Sequence, residues 1–65
     1  MNKIIKIAVD AMGGDGSPKK VIDGIIHHYE KNKNIYYQIF GDQNKITRLI
    51  NEDLPSTSFE IIHTI

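Results

Sequence analysis

Apolar residues in this chain recur in two distinct rhythms, alternation over short runs and a stripe at helical spacing over longer ones. Lys3 to Val9 alternates: Ile5, Ile7 and Val9 share one face, and Ile4, Lys6 and Ala8 share the other. Turn chemistry follows directly, so this run predicts a strand. From Pro18 to about Lys31 the apolar set is Val21, Ile22, Ile25, Ile26 and Tyr29. These positions form one helical stripe, with Lys19, Lys20, Asp23, His27 and Glu30 outside it. Asn32-Lys33-Asn34 ends that helix. Ile35 to Phe40 predicts a second strand, apolar at Ile35, Tyr37 and Ile39 and closed by Gly41-Asp42. Gln43 to about Asn51 predicts a second helix built on Ile46, Leu49 and Ile50. A loop broken by Pro55 runs from Glu52 to Ser58, and Phe59 to Ile65 predicts a third strand.

The order β-α-β-α-β predicts a parallel sheet joined by right-handed crossovers. Parallel sheets are normally covered on both faces. Two helices cannot cover three strands on both sides, and the second face would present Ile4, Ala8, Tyr36, Phe40 and Ile62. The expectation is an N-terminal portion of a larger Rossmann-like, three-layer α/β fold. Residues 1–65 are then a fragment of one larger domain. Gly24 interrupts the first helix at about 1 kcal/mol relative to alanine, and close packing of helix on sheet is the expected compensation.

Composition narrows the class. The chain is 40% hydrophobic and 25% charged with zero formal net charge, so bulk charge does not steer it toward nucleic acid. Cysteine is absent, which excludes disulfides and thiolate metal sites. At 65 residues a standalone fold would be marginal, burying only about 60% of the unfolded surface. No run approaches the roughly 18 apolar residues of a membrane span. The start Met1-Asn2-Lys3-Ile4-Ile5 has the look of a signal peptide, but Lys6 and Asp10 interrupt it early, so the expected location is the cytoplasm.

The chemistry concentrates in Asp10-Ala11-Met12-Gly13-Gly14-Asp15-Gly16-Ser17-Pro18, between the first strand and the first helix. Gly13, Gly14 and Gly16 permit positive φ and close approach to the backbone. Ser17 suits a helix N-cap and Pro18 the first helical position. Backbone amides and the positive end of the helix dipole then face one small volume, a natural anion site. The dinucleotide fingerprint G-x-G-x-x-G would start at Gly14 and Gly16 but meets Lys19 where it needs glycine. The triphosphate loop G-x-x-x-x-G-K-[ST] is absent in every register.

The wider string Ile7-Ala8-Val9-Asp10-Ala11-Met12-Gly13-Gly14-Asp15, followed by Pro18, resembles the N-terminal signature of the bacterial phosphate acyltransferases of phospholipid synthesis. Phe40-Gly41-Asp42 and Phe59-Glu60-Ile61-Ile62-His63 resemble the same family. The resemblance runs from residue 3 to the end, and it covers a small N-terminal part of the family's usual length. One departure stands out: Gly16-Ser17 replaces the family's common histidine-alanine pair.

The resemblance implies formation of acyl phosphate from acyl-[acyl carrier protein] and inorganic phosphate, without metal or organic cofactor. It further implies a cytoplasmic homodimer that hands its product to a membrane-bound glycerol-3-phosphate acyltransferase, with peripheral contact with the membrane. Phosphate is already anionic at neutral pH, so it needs positioning more than a strong base. Gly13, Gly14, Gly16 and Ser17 are the expected phosphate- or substrate-binding residues. Asp10 and Asp15 are the candidate catalytic carboxylates, and two roles are open for them. They can turn inward to tie loop amides together, or they can polarise substrate or handle a proton.

Other residues have blander readings. Lys19 and Lys20 suit a solvated helix face, and a bound anion or acidic carrier would also explain them. His27 and His28 point about 100° apart on a helix, so they do not easily share one metal ion. His63 alternates out of the apolar set near the end of its strand. Tyr36 and Tyr37 face opposite sides of the sheet. Asp42 ends the second strand at the edge where Asp10 ends the first, the edge at which parallel α/β sheets bind ligands. Two rival readings remain: a non-catalytic gene remnant, and a nucleotide- or dinucleotide-binding module.

Overall fold

A computed structural model describes residues 3–64. Its elements follow the order β1 (Ile5–Asp10), α1 (Lys19–Lys31), β2 (Ile35–Gly41), α2 (Gln43–Leu49) and β3 (Phe59–His63), with a 3-10 turn at Ser56–Ser58 before β3. The strands form one parallel sheet in the order β1-β2-β3. The expected α/β class and element order are therefore observed. Met1, Asn2 and Ile65 lie outside the described residues, and with them the start of the chain and the expected end of the third strand.

Register explains where the core sits. Ile7 pairs with Tyr37 and Val9 with Ile39, while Tyr37 pairs with Phe59 and Ile39 with Ile61. All six side chains share one face, because residues two apart along a strand point the same way. Ile22 and Ile25 of α1 and Ile46 of α2 pack on that face with Ile35, Tyr37 and Ile39. Two right-handed crossovers running in the same direction carry both helices to the same side. Among the described residues the architecture is thus a sheet with one helical layer.

The opposite face carries Lys6 and Ala8 of β1, Tyr36, Gln38 and Phe40 of β2, and Glu60 and Ile62 of β3. Its central polar pair is closed on itself, Gln38 Nε2 donating to Glu60 Oε2 at 3.1 Å. The Lys6 ammonium lies 6.0 Å from the Tyr36 ring centroid. Tyr36 and Tyr37 do point to opposite faces, and Tyr37 is the buried one.

Two expectations about α1 are corrected. Ser17 does not cap it. Pro18 holds the N-cap position without a side-chain hydrogen bond, and the Ser17 hydroxyl instead donates to the Gly13 carbonyl at 2.7 Å. The glycine turn brings that carbonyl within reach, and Lys20 N–H bonds back to Gly16 O at 3.0 Å. Gly24 is exposed and a Cβ there would meet nothing within 4 Å, so close helix-to-sheet packing is not what it provides. The helix ends as its polar turn predicts: Asn32 N–H bonds to Tyr29 O at 3.1 Å, and Asn32 Nδ2 donates to His28 O at 3.2 Å.

The loop before β3 contributes more to the core than its polar composition suggests. Leu54 is buried, and Ser58 is buried with its hydroxyl donating to Pro55 O at 2.6 Å. No helix among the described residues is long and apolar enough to cross a membrane.

Candidate functional site

The β1–α1 loop is anchored at both ends. At its start, Ala11 is fully buried and its N–H bonds to Phe40 O at 2.9 Å, extending the sheet ladder by one residue. Asp10, at the C-terminal end of β1, turns its carboxylate onto the loop. Oδ1 accepts from Met12 N–H at 2.9 Å, and a Cβ at Gly13 would lie 3.3 Å from Oδ2. Of the two roles open for Asp10, the structure displays the tie between carboxylate and loop amide. Asp15 is exposed and makes no side-chain hydrogen bond among the described residues.

Gly14 and Gly16 have positive φ, 94° and 80°, where an L side chain is strained. Gly13 does not share that conformation; it is needed for the space beside Asp10. The result is an open turn. The N–H groups of Gly13 through Ser17 find no acceptor among the described residues. These exposed donors sit ahead of a thirteen-residue helix, whose dipole adds partial positive charge at the same end. Lys19 is engaged elsewhere, in an exposed ion pair with Asp23 at 2.7 Å, and the Lys20 stem lies against Gly16.

A second wall faces the loop from the other strand ends. Asp42 caps α2, its Oδ1 accepting Lys45 N–H at 3.1 Å. That backbone hydrogen bond, helped by the nearby Lys45 and His63, holds its carboxyl below the usual range. Gly41 is buried because Ile46 and Met12 close over it; a Cβ there would lie 2.8 Å from each. Met12, Asp42, His63 and Thr64 line a cavity of about 300 Å³ at this edge.

His63 is the residue that pattern reading undervalued. It pairs with Gly41 in the register, so it belongs to the same face as Phe59 and Ile61 rather than alternating away from them. Its Nδ1 accepts the Gln43 N–H at 3.1 Å. The signal available in the sequence was parity, two residues beyond Ile61 and opposite a glycine. His28, by contrast, is committed to Tyr37 at 2.6 Å on the helix side of the sheet. The structure thus gathers Asp10, the glycine turn, Asp42 and His63 at the C-terminal strand edge and leaves His27 and His28 away from it.

Residues 5–65 match the family described as fatty acid synthesis protein. This chain belongs to that family. Within it, the phosphate acyltransferase of Pelagibacter ubique (strain HTCC1062) is 72% identical over 64 residues, covering 98% of this chain and 19% of that protein. The phosphate acyltransferase of Lacticaseibacillus casei (strain BL23) is 45% identical over 60 residues, 92% of this chain and 17% of that protein. That of Oenococcus oeni (strain ATCC BAA-331 / PSU-1) is 42% identical over 52 residues, 80% and 15% respectively. The chain therefore spans about a fifth or less of the length of these family members.

Proposed function

We propose that this chain is the anion-binding N-terminal part of a phosphate acyltransferase that makes acyl phosphate from acyl-[acyl carrier protein] and inorganic phosphate. The observation that carries the reading is the row of unclaimed N–H donors from Gly13 to Ser17 ahead of α1. Such donors hold a tetrahedral anion by direct hydrogen bonding and helix polarity. Similarity to the named phosphate acyltransferases supplies the acyl half of the reaction.

In this reading a phosphate oxygen attacks the thioester carbonyl carbon. A C–O bond forms, the C–S bond breaks, and its electron pair leaves on sulfur as the carrier's thiolate. Phosphate arrives already ionised, so the loop acts by positioning it. Asp10 keeps the loop in shape through Met12, and Asp15 is free to face solvent or substrate. No metal or organic cofactor takes part. The wider protein is a cytoplasmic homodimer of one larger α/β domain per subunit. It touches the membrane surface where a glycerol-3-phosphate acyltransferase takes up the acyl phosphate.

The test is acyl-phosphate formation by this chain alone, and by this chain joined to the remainder of the Pelagibacter ubique relative in place of its own matching 64 residues. The joined protein is expected to be active and the short chain inactive. A joined protein that folds, binds acyl carrier protein and still forms no acyl phosphate would refute the reading.

A further inference from the structure

We propose that His63 is a substrate-contacting residue whose Nε2–H donates to the thioester carbonyl oxygen, and that the cavity lined by Met12, Asp42, His63 and Thr64 is the acyl rather than the phosphate side of the site. The inference rests on the acyltransferase reading above and extends it to a residue and a substrate group. Its first support is geometric. Gln43 N–H occupies Nδ1 at 3.1 Å, so the neutral ring carries its proton on Nε2. That nitrogen has no protein partner among the described residues, and the ring lines the cavity.

The chemistry of the walls decides what it meets. Asp42 stays ionised because Lys45 N–H holds its carboxylate. The N–H donors of Gly13 to Ser17 make a fuller anion cradle than a single imidazole N–H beside Asp42, so phosphate belongs to the glycine turn. Met12 contributes exposed apolar surface to the same cavity, 40% accessible. A neutral carbonyl with an apolar substituent fits this lining, and Thr64 adds a hydroxyl. The donor gains strength as the carbonyl oxygen takes on charge during attack, which is how a hydrogen bond aimed at that oxygen favours the reaction.

Two readouts test it. The first is long-range proton–nitrogen NMR of the His63 ring in this chain joined to the remainder of the Pelagibacter ubique relative. The expected result is a protonated Nε2 with Nδ1 as acceptor, and an Nε2 resonance that moves with S-octanoyl-N-acetylcysteamine but not with inorganic phosphate. A proton on Nδ1, a response to phosphate alone, or no response to either probe overturns the proposal. The second is kinetics of the joined enzyme. His63→Ala should raise KM for the acyl thioester or lower kcat by about tenfold, the worth of one such hydrogen bond, with KM for phosphate unchanged. His63→Gln, which restores an N–H, should recover part of the loss. Equal changes for both substrates, or none, overturn it. A joined enzyme inactive with His63 intact counts against the acyltransferase reading itself, and the ring-nitrogen result then decides the donor and its ligand.

Discussion

The Tyr37 hydroxyl lies 2.6 Å from His28 Nδ1, with the two rings edge to face at 82°. This contact joins the middle of β2 to an exposed residue of α1. Tyr37 is almost wholly buried, and burial, with a smaller contribution from Tyr29, pushes its phenol above 10.0. The hydroxyl therefore stays protonated across the neutral range and shares one hydrogen bond with the imidazole.

Removing either partner has unequal effects. Tyr37→Phe deletes one hydrogen bond and leaves an exposed histidine to water, so it should cost about 0.5–1.5 kcal/mol. His28→Ala leaves a hydroxyl without its partner at the edge of the core and should cost more, about 1–3 kcal/mol. Thermal melting separates them, since roughly 1 kcal/mol moves the midpoint by about 4–8 °C in a domain this small.

The same pair gives an alkaline signature. A phenol whose folded pKa is raised contributes stability that is fully present below its unfolded value and is lost as pH rises through the folded one. Melting temperature should therefore fall above pH 10.0, and Tyr37→Phe should remove that component. Equal alkaline slopes in both proteins would contradict the assignment.

Asp42 predicts the acidic counterpart. Its folded pKa is lowered from 3.8, so its cap stabilises above that value and is lost as pH falls through the folded pKa. Asp42→Asn keeps an acceptor for Lys45 N–H but does not titrate. Between pH 5 and pH 2 the wild type should lose more melting temperature than this variant.

Gly24→Ala should stabilise. The position is exposed, mid-helix and surrounded by open space, so alanine gains about 1 kcal/mol of helix propensity without a clash. A melting midpoint that falls would show a contact at Gly24 that this reading lacks.

Gly41→Ala should do the reverse, by about 1–3 kcal/mol, because its Cβ would press on Ile46 Cδ1 and Met12 Cγ at 2.8 Å. Ile46→Val deletes the Ile46 Cδ1 atom, so the double variant should melt higher than the sum of the single effects predicts.

Much of this was legible along the chain. Alternation at Ile7 and Val9, and at Ile35, Tyr37 and Ile39, marks the face that the helices cover, while Ile5 at the strand's start stays exposed. The stripe of Ile22 and Ile25 marks what covers it. These are one-dimensional regularities, because a strand repeats every two residues and a helix every 3.6. The glycine turn was equally visible, since few other residues adopt the positive φ of Gly14 and Gly16.

The sequence by itself determined the element order, the parallel sheet, the buried face and the place of the glycine turn. Tertiary structure alone decided the rest. Ser17 looked like a cap and became a donor to Gly13 O, because Pro18 took the boundary and the turn folded a carbonyl toward the hydroxyl. Leu54 entered the core from a polar loop through a contact that no periodicity encodes. His63 acquired a role only once β3 stood beside β2 and Gln43 N–H met its Nδ1. Each of these depends on atoms brought together across the fold. Local pattern specifies which way a side chain points, and only the packed sheet specifies what it meets.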